Sequence, residues 1–428
     1  MFLFVLPMKL LLTTITILLS GFLCAQDATQ WKKTSVLFVP ELLLGKTAES
    51  NDGFPERDLQ KQIVLNIGRD HERNPQEWAQ RLKGVRTGIG LGYTDFGNLD
   101  SLGIALTVIP YIEFPIFGSK RFTTLVGMGG SYFTEKYDAI ENPNNNAVTT
   151  DITWAYRTYL YYRLASSKSI DWRVGLGYSH HSNGHTRLLN QGYNSFLLSV
   201  SAAILNPLQQ TATEKDTNPS NYDRSIHSYV DFRSAIGQNV FALAFNEKKE
   251  VYGVSTEYGH VFNNTFRLGI GLYYRFYEHY YDYIQGNESL VQEGREFESY
   301  KDAPVWNSST IGAFIHGEFL LNHIGLDLQL GYNFHKPAYR IEWRINEGWD
   351  NTPRDIPEFW ELGEFGSKFK LKHRISSRLG LKYYVIGTSK SPKHNVYFGA
   401  HINSNLGQAD FTELAVGYVY SFRFKKRN

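Results

Sequence analysis

The sequence holds a single cysteine, Cys24, and it lies in the N-terminal apolar stretch. One thiol excludes a disulfide framework and a cysteine-ligated metal cluster. An excess of charge of one sign is also missing. The net charge is +2 over 428 residues, which offers neither the basic field that nucleic acid requires nor an acidic tail. Beyond residue 25 no segment reaches the roughly 18 consecutive apolar residues of a transmembrane helix. The mean hydropathy of −0.34 suits a soluble protein. It also suits a membrane β-barrel, because half of each barrel strand faces a polar lumen. What is plentiful points to the second. Aromatic residues make up 15% of the chain, with 28 Tyr and 28 Phe, and there are 37 Gly. That mixture fits a β-rich protein whose aromatics sit at an interface.

Residues 1–25 read as a secretory signal. Lys9 precedes an apolar run from Leu10 to about Leu23, followed by Cys24-Ala25. Cleavage is expected after Ala25, and Met8 offers an alternative start. Leu23 is too bulky for the small residue that normally precedes a lipid-modified cysteine.

The remainder, 26–428, alternates. In the segment from Thr265, Phe266, Leu268, Ile270, Leu272, Tyr274 and Phe276 fall on one face, and Arg267, Gly269, Gly271, Tyr273 and Arg275 on the other. The segments from Gly84 and Ile324 repeat the pattern. A period of two means strand. Many strands run to ten residues or more, and about 9–11 are needed to cross a bilayer at a tilt. In lipid only a closed sheet leaves no unpaired edge. The expected fold is therefore all-β, an antiparallel transmembrane β-barrel of about 14–16 strands with long extracellular loops. Fourteen strands follow Gly84, and 34–44 and 58–68 would bring the number to sixteen. The C-terminal segment, with Gly417 and spaced aromatics to Phe424, resembles the terminal assembly signal of outer-membrane barrels, although Lys425–Asn428 trail it.

Connections alternate between short and long, as periplasmic turns and outer loops do. The longest, 279–306 and 338–368, fall on the outer side. Two long stretches, 69–83 and 206–223, fall on the periplasmic side against the rule. No internal repeat or inter-domain linker is evident, so 26–428 is expected to form one barrel.

The stretch Gly177–Phe196 stands out for three His and three Asn. It forms the top of a rising strand, an outer loop and the start of a descending strand. Trp172, Val174, Leu176, Tyr178, His180 and Ser182 share the lipid-facing side, and so do Asn194, Phe196, Leu198 and Val200 on the next strand. Polar side chains on that side cost free energy unless they are paired. A nucleophile, base and orienter would be paired. His180 and Ser182 are two apart on one face, so His180 can take the Ser182 proton, and Asn194 can accept from the other ring nitrogen. The amides beside Asn183 and Gly184 are candidates for an oxyanion hole. His181 points to the opposite face, toward the lumen, so His180, His181 and His185 cannot share one metal ion. His185 and Arg187 lie in the loop, within reach of phosphate groups if they extend outward.

His180-His181-Ser182-Asn183, the short loop, and Gly192-Tyr193-Asn194 resemble the active site of PagL-type lipid A deacylases, also called acyloxyacyl hydrolases. The portion that resembles them runs over about 84–205. The resemblance implies an outer-membrane serine esterase that removes an ester-linked acyl chain from lipid A in the outer leaflet, without cofactor or metal. His180 would be the base and Ser182 the nucleophile, and Asn194 stands where that family carries an acid. The same spacing, with Asn at the third position, is similar to outer-membrane phospholipase A. That alternative would imply a phospholipid substrate and Ca2+. The loop and Gly192 favour the deacylase. Two non-enzymatic readings stand beside these: a polar cluster at the headgroup level, and a porin or structural barrel, since about sixteen strands can enclose a channel.

Overall fold

The computed structural model describes residues 35–72, 74–167, 169–205, 224–348 and 363–427. The signal segment lies outside them. The described residues form sixteen antiparallel strands. The first eight are β1 (Ser35–Thr47), β2 (Gln60–Asp70), β3 (Arg86–Asp95), β4 (Ile104–Ile116), β5 (Ser119–Phe133), β6 (Ile152–Ser166), β7 (Ile170–Ser182) and β8 (Tyr193–Leu205). The second eight are β9 (Arg224–Asn239), β10 (Lys249–Phe262), β11 (Phe266–Tyr277), β12 (Ser309–Leu321), β13 (Ile324–His335), β14 (Ile375–Tyr384), β15 (His394–Asn405) and β16 (Gln408–Arg427). The β class, the antiparallel pairing and the strand total agree with the sequence. The closure does not agree with a single barrel over 26–428. β8 pairs back onto β1, with Thr47 opposite Ser195, and β16 pairs back onto β9, with Leu414 opposite Ile236. The result is two closed barrels of eight strands each. The long stretch 206–223, which broke the parity rule, falls between β8 and β9 in the sequence and lies outside the described residues. The other exception, 69–83, carries the short helix α1 (Glu77–Leu82).

Two closures of eight change what the interior can be. Eight strands enclose a space that side chains fill, whereas sixteen leave a channel. In the first barrel Glu41 is the hub. It accepts from Arg157 Nη2 (2.8 Å), Tyr161 Oη (2.7 Å), Ser199 Oγ (2.6 Å) and Asn66 Nδ2 (3.1 Å). Glu113 accepts from Arg173 (2.7 Å) and Arg86 (3.3 Å). In the second barrel Arg267 pairs with Asp231 (2.6 Å), Lys382 with Glu318 (3.0 Å) and Arg378 with Asp327 (2.9 Å). Charges buried this deeply are tolerated only when paired, and the strict alternation puts both signs on the same inward face. The porin reading thus loses its geometric basis, because it needs about sixteen strands in one closure and each closure here has eight.

The outward faces are apolar. Leu176 is 59% exposed and Leu198 65%, as lipid-facing residues should be. At the rim with the long loops the first barrel is plugged by Phe54, Phe96, Leu102, Phe133 and Tyr193. The second is capped by α2 (Glu278–Gln285), α3 (Tyr339–Gly348) and α4 (Ser367–Arg374). Tyr280, Ile284, Val291 and Ile341 form the apolar core of that cap. The expected outer loops 279–306 and 338–368 therefore fold as this cap, apart from 349–362, which lie outside the described residues. The two barrels touch at both ends. Leu321 and Leu326 pack against the cluster of Trp78 and Ile112, and Asn264 donates to Glu77 (3.1 Å). At the other rim, Trp154 Nε1 donates to Thr412 Oγ1 (2.9 Å).

Candidate active site

The register places His180 of β7 directly opposite Asn194 of β8. Cross-strand neighbours on one face are close enough for direct side-chain contact. The His180 Nδ1 and Asn194 Oδ1 atoms lie 2.8 Å apart. An amide oxygen only accepts, so Nδ1 carries the hydrogen and Nε2 is left with its lone pair. Asn194 Oδ1 also accepts from Tyr178 Oη at 2.6 Å. The Tyr178 and His180 rings stack at 6.4 Å. The imidazole is thus held on the outward face of the first barrel by two neighbours on its own face.

Ser182 is the last residue of β7 and is 5% exposed. Its hydroxyl is not paired with His180 as expected. Its described partners are the Asn190 side chain and the Gly184 backbone. Asn190 Nδ2 donates to Ser182 Oγ at 2.9 Å, and Gly184 N–H donates to it at 3.2 Å. The physical reason is the loop, which folds back over the strand end and brings an amide donor to the hydroxyl first. Asn190 Oδ1 accepts from Asn183 N–H at 2.9 Å, so of the two predicted oxyanion amides only that of Gly184 points at the serine oxygen. Asn183 braces the loop with its side chain, donating to Arg187 O (2.7 Å) and Thr149 Oγ1 (3.1 Å).

Backbone shape matters at Gly192. Its φ is +75°, which L-residues rarely adopt, and a methyl there would sit 2.8 Å from His180 Cε1. The chain re-enters β8 close against the imidazole. His181 points inward, as its parity demands, against Phe96 and Phe133, with Nδ1 3.1 Å from Ser131 Oγ. His185 is buried rather than reaching outward, and burial pushes its imidazole below the usual range. Arg187 is exposed. Among the described residues no three His, Cys, Asp or Glu side chains are gathered so as to hold a metal ion.

Sequence reasoning missed Tyr178, Asn190 and Trp154. Tyr178 could have been found, because it lies two residues before His180 on the same face. Asn190 and Trp154 carry no local signal.

A family model described as lipid A 3-O-deacylase (PagL) matches residues 65–203, and one described as acyloxyacyl hydrolase, C-terminal domain, matches 226–345. The chain belongs to the PagL-type lipid A deacylase family. It is an ester hydrolase of the bacterial outer membrane. The two matches fall one on each barrel, β2–β8 and β9–α3. No curated protein matches the chain. Among solved structures the chain is similar to "Crystal structure of the outer membrane enzyme PagL", at 16% identity over 38% of this chain and 97% of that one, with a TM-score of 0.28. It is also similar to CdiB from Acinetobacter baumannii, at 7% identity over 90% and 60%, TM-score 0.16. A triple mutant of the Rhodopseudomonas blastica porin is similar at 12% identity over 91% and 100%, TM-score 0.17.

Proposed function

We propose that this PagL-type chain removes one ester-linked acyl chain from lipid A by a Ser182–His180–Asn194 relay on the outer wall of the first barrel. The carrying observation is the His180–Asn194 pair at 2.8 Å on a lipid-facing surface, which leaves Nε2 of the imidazole free to act as a base. Ser182 turns about χ1 from Asn190 toward His180, a move between staggered wells. His180 takes the hydroxyl proton as Oγ bonds to the ester carbonyl carbon. Asn190 Nδ2 and Gly184 N–H, released from the hydroxyl, then face the developing oxyanion. The C–O bond to the sugar breaks, His180 returns the proton to the departing alcohol, and the acyl group stays on Ser182. Water, deprotonated by His180, attacks the acyl carbon and frees the fatty acid and the serine. Asn194 fixes the tautomer throughout, and being neutral it orients the imidazolium more than it stabilises it.

The test is mass spectrometry of lipid extracts from a Gram-negative host that makes the full chain, beside Ser182→Ala. Lipid A lighter by one acyl chain only with Ser182 intact is the expected result. Equal deacylation by both chains refutes the relay. Asn194 is the one observation that favours a phospholipid substrate, and lysophospholipid with unchanged lipid A would establish that second reading instead.

A further inference from the structure

The loop that carries Asn190 is held from outside its own barrel. Leu188 N–H donates to Asn246 Oδ1 at 2.8 Å, and Asn246 Nδ2 donates to Leu188 O at 2.6 Å. One side-chain amide thus satisfies both backbone groups of Leu188, two residues before Asn190. Asn246 belongs to the connection between β9 and β10 of the second barrel. Val240 N–H, from the same connection, donates to His185 O at 3.1 Å. That connection is anchored in turn, with Phe241 and Phe245 packed on Tyr283 of α2. On the first barrel's side Thr149 Oγ1 donates to Leu189 O at 2.9 Å. Leu188 and Leu189 are therefore gripped from opposite sides, one barrel each, and Asn190 projects from the gripped segment onto Ser182. Trp154, opposite Ser182 in the β6–β7 register, reaches Thr412 of β16 and adds a second bridge beside Gly184.

We infer that the second barrel is the positioning partner of the first barrel's esterase site, and that Asn246 is the positioning residue that sets the Asn190 amide against Ser182. This rests on the Ser182 relay proposed above. Without the clamp, Leu188 exchanges two fixed hydrogen bonds for water, and Asn190 loses its defined approach. The substrate contacts on the outer wall are untouched. The loss should therefore appear in kcat, not in KM, because misplacement of a group that acts on the transition state leaves ground-state binding alone.

The experiment compares full chains in detergent–lipopolysaccharide mixed micelles and reads initial rates of fatty-acid release against lipopolysaccharide concentration. The chains are the parent, Asn246→Ala, Asn246→Gln, Asn246→Asp, Glu247→Ala and Ser182→Ala, each checked for closed barrels by gel mobility without boiling. Asn246→Ala is expected to lower kcat about tenfold to a hundredfold with KM within about twofold, the scale of an ångström-level misplacement. Asn246→Gln should recover part of the loss. The neighbouring exposed Glu247→Ala should behave as the parent. Folded Asn246→Ala with parental kcat overturns the inference, and so does an equal loss in Glu247→Ala. If Asn246→Ala fails to close, Asn246→Asp decides, because it keeps the acceptor for Leu188 N–H and removes the donor to Leu188 O: a fall in kcat at constant KM supports the clamp and parental kcat overturns it. Activity in Ser182→Ala overturns the relay and this inference together, whereas a dead Ser182→Ala beside a fully active Asn246→Ala overturns the clamp alone.

Discussion

Asn194 allows a prediction of opposite sign from two substitutions of similar size. In Asn194→Ala the His180 Nδ1–H and the Tyr178 hydroxyl both lose their acceptor, Asn194 Oδ1. A neutral hydrogen bond contributes about 0.5–1.5 kcal/mol net. Losing the bond to the imidazole alone raises the barrier by about 1 kcal/mol, roughly fivefold in rate. An imidazole free to flip its tautomer adds to that, so a fall of about 5- to 100-fold in kcat is expected. Asn194→Asp keeps the shape and both acceptor contacts and adds a charge. Charge-assisted hydrogen bonds are roughly twice as strong as neutral ones. The imidazolium formed in the transition state gains about 1 kcal/mol that the neutral ground state does not, so kcat should rise about fivefold. The assay is fatty-acid release from lipopolysaccharide at saturation, on chains shown to be folded by gel mobility. An Asn194→Ala chain within about twofold of the parent would refute the orienting role, since the lost bond is worth more than that. An Asn194→Asp chain slower than Asn194→Ala would refute the electrostatic part.

Two further outcomes follow from geometry outside that pair. Gly192→Ala forces a methyl against His180 Cε1 and the His181 carbonyl, 2.8 and 2.9 Å away, at a φ of +75°. The left-handed backbone alone costs about 1–2 kcal/mol, and the displaced imidazole should lower kcat about tenfold or more; a parental rate in the same assay contradicts this. In the cap of the second barrel, burial, with Asp410 adding to it, pushes the Glu342 carboxyl up to about 7 from an ordinary 4.5. Lys336 and Lys372 oppose the shift, and Tyr280 Oη donates to Glu342. The folded cap therefore binds more protons than the unfolded chain between those two values. Its stability contribution is fully present below the unfolded value and is lost as pH rises through 7. Protection of the α3 amides, taken as exchange relative to the intrinsic base-catalysed rate at each pH, should fall from about pH 5 to 8, and Glu342→Gln should flatten that fall; parental protection that does not change with pH would contradict the assignment.

Much of the molecule was legible in the chain because a strand's period is local. Alternation over Phe266–Phe276 is enough to call a strand and to say which side meets lipid, with no knowledge of its neighbours. The same parity put His180 and Asn194 on the outward face and His181 inside, and the structure keeps these three there, whereas Ser182, expected beside them, is buried under the loop. Closure was not legible. Whether β8 turns back to β1 or pairs onward with β9 is decided by hydrogen bonds between residues such as Thr47 and Ser195, and an alternating strand presents the same edge to either partner. Asn190 was invisible for a related reason: only the path of the loop brings its amide to Ser182, eight residues earlier. Asn246 is further still from any local signal, since its contact with Leu188 exists only because two separately closed barrels stand side by side. Periodicity, set by backbone sterics within a few residues, thus determined the strands and the side on which His180 and Asn194 lie. Long-range pairing alone decided how many barrels those strands make and which residues hold the Ser182 hydroxyl.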